Sequence, residues 1–89
     1  MRIALIQADI DAGIRGSCFA CPWSLAILRA MPRRDLLCGA VAITDGMGDV
    51  LLRLPKDIRD WITAYDYFGR TLGWEALSFE LPDDLGKHG

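Results

Sequence analysis

Prolines at positions 22, 32, 55 and 82 constrain this 89-residue chain more than any other feature. A proline inside a helix removes a backbone donor and clashes with the preceding turn, so each must lie at an element boundary. Pro22 fits the first position of a helix, where its missing N–H costs nothing. Pro32 ends that helix, Pro55 opens a second and Pro82 starts a polar tail.

Hydrophobic periodicity fills the intervals. Arg2 to Ile6 is a short apolar run that reads as a buried first strand, and Gln7 to Ala12 reads as a helical turn. Gly13 is placed to close that turn in the left-handed conformation. After Pro22, the residues Leu25, Ala26, Ile27, Leu28, Ala30 and Met31 are apolar nearly all round, which predicts a largely buried helix.

Leu36 to Thr44 reads as a strand, and Asp49 to Leu54 as its antiparallel partner with Val50, Leu52 and Leu54 on one face. Thr44-Asp45-Gly46-Met47-Gly48 supplies the glycines for the hairpin turn between them. The helix after Pro55 carries Ile58, Trp61, Ile62, Tyr65 and Phe68 along one stripe. Lys56 and Asp60 pair on its outer face, and Gly69 ends it. Leu77, Phe79 and Leu81 alternate with polar residues as a last strand.

This order predicts an α+β fold: a four-stranded antiparallel sheet with two helices on one face, in the βαββαβ order of ferredoxin-like folds. Residues 1–82 form one domain and 83–89 the polar tail. At 52% hydrophobic content the chain suffices for a single core and for no second domain.

Charge narrows the function classes. A net charge of −2 argues against direct nucleic-acid binding. Arg29, Arg33 and Arg34, the one basic cluster, suit the dipole of a helix end. Asp9, Asp11, Asp83 and Asp84 read as solvated loop charges, and Asp45 with Asp49 as turn formers. The start Met1-Arg2-Ile3-Ala4-Leu5-Ile6 carries no signal-peptide pattern and no run approaches a membrane span, which places the chain in the cytosol with reduced thiols.

Cys18 and Cys21 precede the Pro22 helix at C-x-x-C spacing. Thiols at a helix N-terminus have lowered pKa values, so the pair fits Cu(I), Zn(II) or a small redox disulfide. The competing reading makes Cys21 the cap of the helix and Cys18 incidental. Cys38, placed in a strand core, and His88, on the tail, are the only other soft ligands to complete a set. With His88 as the sole histidine, catalysis is not expected. Trp23, Tyr67 and Trp74 fall off the apolar stripes, and two of them exposed together would mark a partner surface.

Two resemblances attach to these motifs. The element order and the C-x-x-C pair before the first helix resemble heavy-metal-associated copper-chaperone domains, although Gly16 stands where that family carries Met. Gln7-Ala8-Asp9-Ile10-Asp11-Ala12-Gly13, Cys21-Pro22-Trp23-Ser24-Leu25-Ala26, Tyr65-Asp66 and Leu77-Ser78-Phe79-Glu80-Leu81 resemble short bacteriophage and prophage proteins.

The phage resemblance implies a non-catalytic binding protein that occupies a host protein surface as an inhibitor of defence, for example of the anti-CRISPR kind, acting in the host cytosol. The alternatives are a Cu(I)- or Zn-binding or thiol-redox domain at Cys18 and Cys21, and sequestration of a small nucleotide signal. Exposed aromatics and strand edges leave homodimerisation open.

Overall fold

The chain runs β1 (Arg2–Ala4), α1 (Gln7–Ala12), α2 (Pro22–Ala30), β2 (Leu37–Cys38), β3 (Ala42–Thr44), β4 (Val50–Arg53), α3 (Lys56–Phe68) and β5 (Ser78–Glu80) in a computed structural model. A short 3-10 turn, Trp74–Ala76, precedes β5. The structure describes residues 1–17, 20–31 and 35–82.

The α+β class holds, but the strands form two antiparallel sheets and not the expected four-stranded one. The first and last strands pair with Ile3 opposite Phe79, and β2, β3 and β4 make a separate meander. Among the described residues no backbone ladder joins the two sheets; side chains join them. Ile3, Phe79 and Leu81 belong to the same buried cluster as Cys38, Ile43 and Leu54. Helix α2 lies against β1, β2 and α1, so it bridges the sheets.

The run Leu36 to Thr44, expected as one strand, is two. Gly39 donates its N–H to the carbonyl of Ala42 at 3.0 Å, closing a tight turn that pairs Cys38 with Ile43. The hairpin to β4 is as expected, with Gly48 at φ +88° and the Asp45 carboxylate accepting the N–H groups of Met47 and Asp49 at 2.9 and 3.0 Å. One oxygen of Asp45 thus holds its own turn through both bonds. A register shift between Ile43 and Thr44 leaves one extra residue in β4, the mark of a bulge, and breaks the expected alternation. Val50, expected to face the core, is exposed, while Leu54 is buried.

Helix α3 buries Ile58, Trp61, Ile62 and Tyr65 as its periodicity requires, and Lys56 meets Asp60 at 2.7 Å. Gly69 closes it at φ +67°, its N–H directed to Ala64 and Tyr65. Phe68, expected on the buried stripe, is exposed beside this cap with the Arg70 guanidinium 5.3 Å from its ring centre. The stripe outruns the core by one turn.

Two charges differ from expectation for one reason. Asp9 is buried and not a solvated loop residue, because its carboxylate accepts the Ile6 N–H that opens α1 and meets Arg29 at 2.7 Å. Arg29 also donates to the Ala4 carbonyl at 3.2 Å. It therefore ties α2 to α1 and β1, where the sequence had it complementing a helix dipole.

Gly13 ends α1, yet at φ −65° and ψ 144°, an extended and not a left-handed conformation. Its glycine identity answers to space: a Cβ there would lie 2.6 and 2.7 Å from ring carbons of Pro22. The α1–α2 approach needs that gap. Gly13→Ala is expected to lose about 1–3 kcal/mol through overpacking, read as a lower urea midpoint with an unchanged slope. An unaltered midpoint would show that the two helices have room to spare.

Candidate functional site

Cys21 occupies the N-cap of α2. Pro22 presets the first helical residue, the Cys21 carbonyl accepts from Leu25 at 3.1 Å, and the Cys21 sulfur accepts the N–H of Ser24 at 3.4 Å. The preceding loop is braced by Ser17, whose carbonyl accepts from Cys21 at 3.0 Å and whose hydroxyl accepts from Ala20 at 3.1 Å. Of the two sequence readings of Cys21, this is the geometry of the cap. Cys18, its expected metal or redox companion, lies outside the described residues, as do His88, Arg33, Arg34, Asp83 and Asp84.

A different cysteine stands beside Cys21. Strand β2 brings Cys38 against the start of α2: its N–H donates to the Ser24 hydroxyl oxygen at 3.3 Å, and its carbonyl lies 3.7 Å from the Cys21 sulfur. Cys21 and Cys38 are both buried and unbridged, 4% and 2% exposed. The Ser24 oxygen, held by the Cys38 amide, is 3.4 Å from the Cys21 sulfur.

These donors act on the acidity of Cys21. A hydrogen bond from the Cys38 side chain is the largest influence; burial opposes it, and the Ser24 hydroxyl and the N–H groups of Ser24 and Trp23 assist it. Together they bring the thiol down to about 6. At neutral pH Cys21 is therefore mainly thiolate. Tyr65 is pushed up, first by burial and then by the negative charges of Cys21 and Asp66, with Arg15 acting in the opposite sense.

A cavity of about 140 Å³ opens over this pair, walled by Gly16 and Ser17, by Cys38 and Gly39, and by Ile62 and Asp66 of α3. Asp66 fastens the loop to the helix by accepting the Gly16 N–H at 3.0 Å, while Arg15 donates to the Asp66 carbonyl at 3.1 Å. A larger, shallower depression of about 390 Å³ lies between β1 and α2, beside Arg2 and Arg29. The Arg29 cation there is already matched by Asp9.

The aromatic residues separate cleanly. Trp23, expected at a partner surface, is completely buried against Trp61 and Phe79 and belongs to the core. Trp74 is half-buried and packs on the core from the 3-10 turn. Tyr67 is 75% exposed, and it is joined by Phe68 at 68% and Leu72 at 89%, which the sequence had not marked for a surface. Ile14, the neighbour of Arg15 in the chain, is exposed as well.

Among the described residues no group of three or more His, Cys, Asp or Glu side chains converges as a metal site, and no helix is long and apolar enough to cross a membrane. Comparison of the chain with protein-family models, with curated proteins and with solved structures finds no match.

Proposed function

We propose that this protein is a non-catalytic binding protein whose contact surface is the C-terminal end of α3, and that it acts as an inhibitor by covering a surface of a host protein. The observation that carries this reading is the exposure of Tyr67, Phe68 and Leu72 within six consecutive residues. Isolated apolar side chains on a surface are ordinary. Two aromatic rings and a leucine exposed within six positions at a capped helix end are the composition of a contact hot spot.

Two features adapt this end to a partner. The left-handed Gly69 cap and the Arg15–Asp66 contact hold the backbone in place, so few rotamers and little chain must be ordered on binding. Arg70, stacked on Phe68, sets a cation at the rim and favours a partner whose apolar patch is bordered by carboxylates. An anti-defence target, such as a CRISPR effector complex, follows from the phage-type resemblance of the sequence and is part of this proposal.

The test is affinity capture from host cells with the wild type and with the triple variant Tyr67→Ala, Phe68→Ala and Leu72→Ala. The wild type is expected to recover a defined host complex. The variant, with unaltered thermal stability because all three side chains are exposed, is expected to lose it by a factor of at least ~10. Undiminished capture by the triple variant would place the contact elsewhere, and capture of nothing above background by the wild type would overturn the binding role.

A further inference from the structure

We propose that Cys21 and Cys38 form a peroxide-reactive thiol pair, in which Cys21 is oxidised by hydrogen peroxide entering the cavity above it and Cys38 closes the product into an intramolecular disulfide.

Three independent features carry this. The side chains of the two cysteines are in hydrogen-bonding contact, although 17 positions separate them in sequence. The cavity over them, about 140 Å³, admits a molecule of two heavy atoms. The third is an asymmetry between the two sulfurs. Cys21 caps the N-terminus of α2, and its sulfur accepts the Ser24 N–H at 3.4 Å. Cys38 faces an acceptor, the Gly39 carbonyl 3.7 Å from its sulfur, which favours keeping its proton. The pair thus presents one attacking thiolate and one resolving thiol, the arrangement of a redox-sensitive site.

The steps balance without further reagents. The Cys21 thiolate attacks one oxygen of hydrogen peroxide; the O–O bond breaks, giving the sulfenic acid and hydroxide, which takes a proton from solvent. The Cys38 sulfur then attacks the Cys21 sulfur and the S–O bond breaks. The departing hydroxide takes the Cys38 proton and leaves as water. Overall, two thiols lose two electrons and two protons to one peroxide, which becomes two waters.

The bond so formed would fasten the N-terminus of α2 to β2 from inside the core. It requires no residue of the exposed Tyr67–Leu72 surface, so the binding role and the thiol chemistry fail or survive separately.

The experiment is non-reducing peptide mapping of the full-length, fully reduced protein after one equivalent of hydrogen peroxide. A Cys21–Cys38 cross-link that thiol reductants reverse is the expected product in the wild type and in Cys18→Ser. In Cys38→Ser the sulfenic acid should persist and be captured at Cys21 by dimedone, whereas Cys21→Ser should consume peroxide at least ~10-fold more slowly. A Cys18–Cys21 cross-link as the main product, or an unmodified Cys21 in the wild type, would overturn the assignment. The wild-type map decides the matter even where a variant folds poorly.

Discussion

Trp23→Ala should remove a large share of the folding free energy. Trp23 is the largest fully buried side chain, with its ring 6.3 Å from that of Trp61 in an edge-on pair and 5.5 Å from Phe79. Trp61 in turn stacks on Tyr65 at 5.3 Å. This chain of rings joins α2 to β5 on one side and to α3 on the other, so its loss opens the packing of both helices on the first sheet.

Truncation of a buried aromatic to alanine costs about 3–5 kcal/mol. Small domains hold a total of about 5–15 kcal/mol. Urea unfolding followed by far-UV circular dichroism should therefore show a midpoint lowered by about a fifth or more, or no cooperative transition. Trp23→Phe should cost less than half as much. It keeps the ring contacts and deletes an indole N–H that is buried without an acceptor among the described residues. Equal losses for the two substitutions would mean that ring packing is not what Trp23 supplies.

That role was hidden in the sequence for a physical reason. A stripe drawn through Leu25 to Met31 describes the middle of α2, whereas Trp23 sits in its first turn, where Phe79 and Trp61 converge from remote parts of the chain. Local signals were readable wherever a single element sets them: Pro22 after its Cys21 cap, the Ile58–Tyr65 stripe, the Gly69 stop, the turn at Asp45. Tertiary outcomes were not. Gly13 answers to a need for space beside the Pro22 ring and not to a left-handed backbone. Asp9 is buried only because Arg29, twenty positions away, reaches it. Phe68 keeps the period of α3 after the core beneath it has ended.

The candidate site divides along the same line. The capping geometry of Cys21 follows from C-P next to an apolar helix, which any reader of the sequence can find. Its contact with Cys38 depends on the tight Gly39–Ala42 turn, which folds one apparent strand into two and delivers Cys38 to the start of α2. The single hint is Ser24, a polar residue three positions after Cys21 in a helix whose one other polar residue is Arg29. Buried, it demands partners, and it finds them in both cysteines.

Stability should rise with pH across neutrality, and Cys21→Ala should abolish most of the rise. The Cys21 thiol titrates near 6 in the fold against 9.0 when free. Between those values the unfolded chain holds a proton that the folded one has released, so unfolding takes up protons and its free energy increases with pH. Below about 6 both states are protonated and the contribution vanishes; above about 9 it is complete. The full difference corresponds to at most about 4 kcal/mol at 1.36 kcal/mol per pH unit of displacement.

Tyr65 sets the opposite limit. Its pKa is raised by burial and by the Cys21 charge, so above its ordinary value of 10.0 the folded state keeps the proton longer and stability falls as pH climbs further. The wild type should accordingly show an ascending limb from about 6 to 9 and a descending limb beyond 10. In Cys21→Ala the first should flatten and the second should weaken, because the thiolate charge acting on Tyr65 is gone. Urea midpoints measured under reducing conditions across that range test both limbs. A flat wild-type profile would show that Cys21 remains a neutral thiol donating to the Ser24 hydroxyl. The helix cap would then survive as its sole function, and the peroxide chemistry would lose its nucleophile.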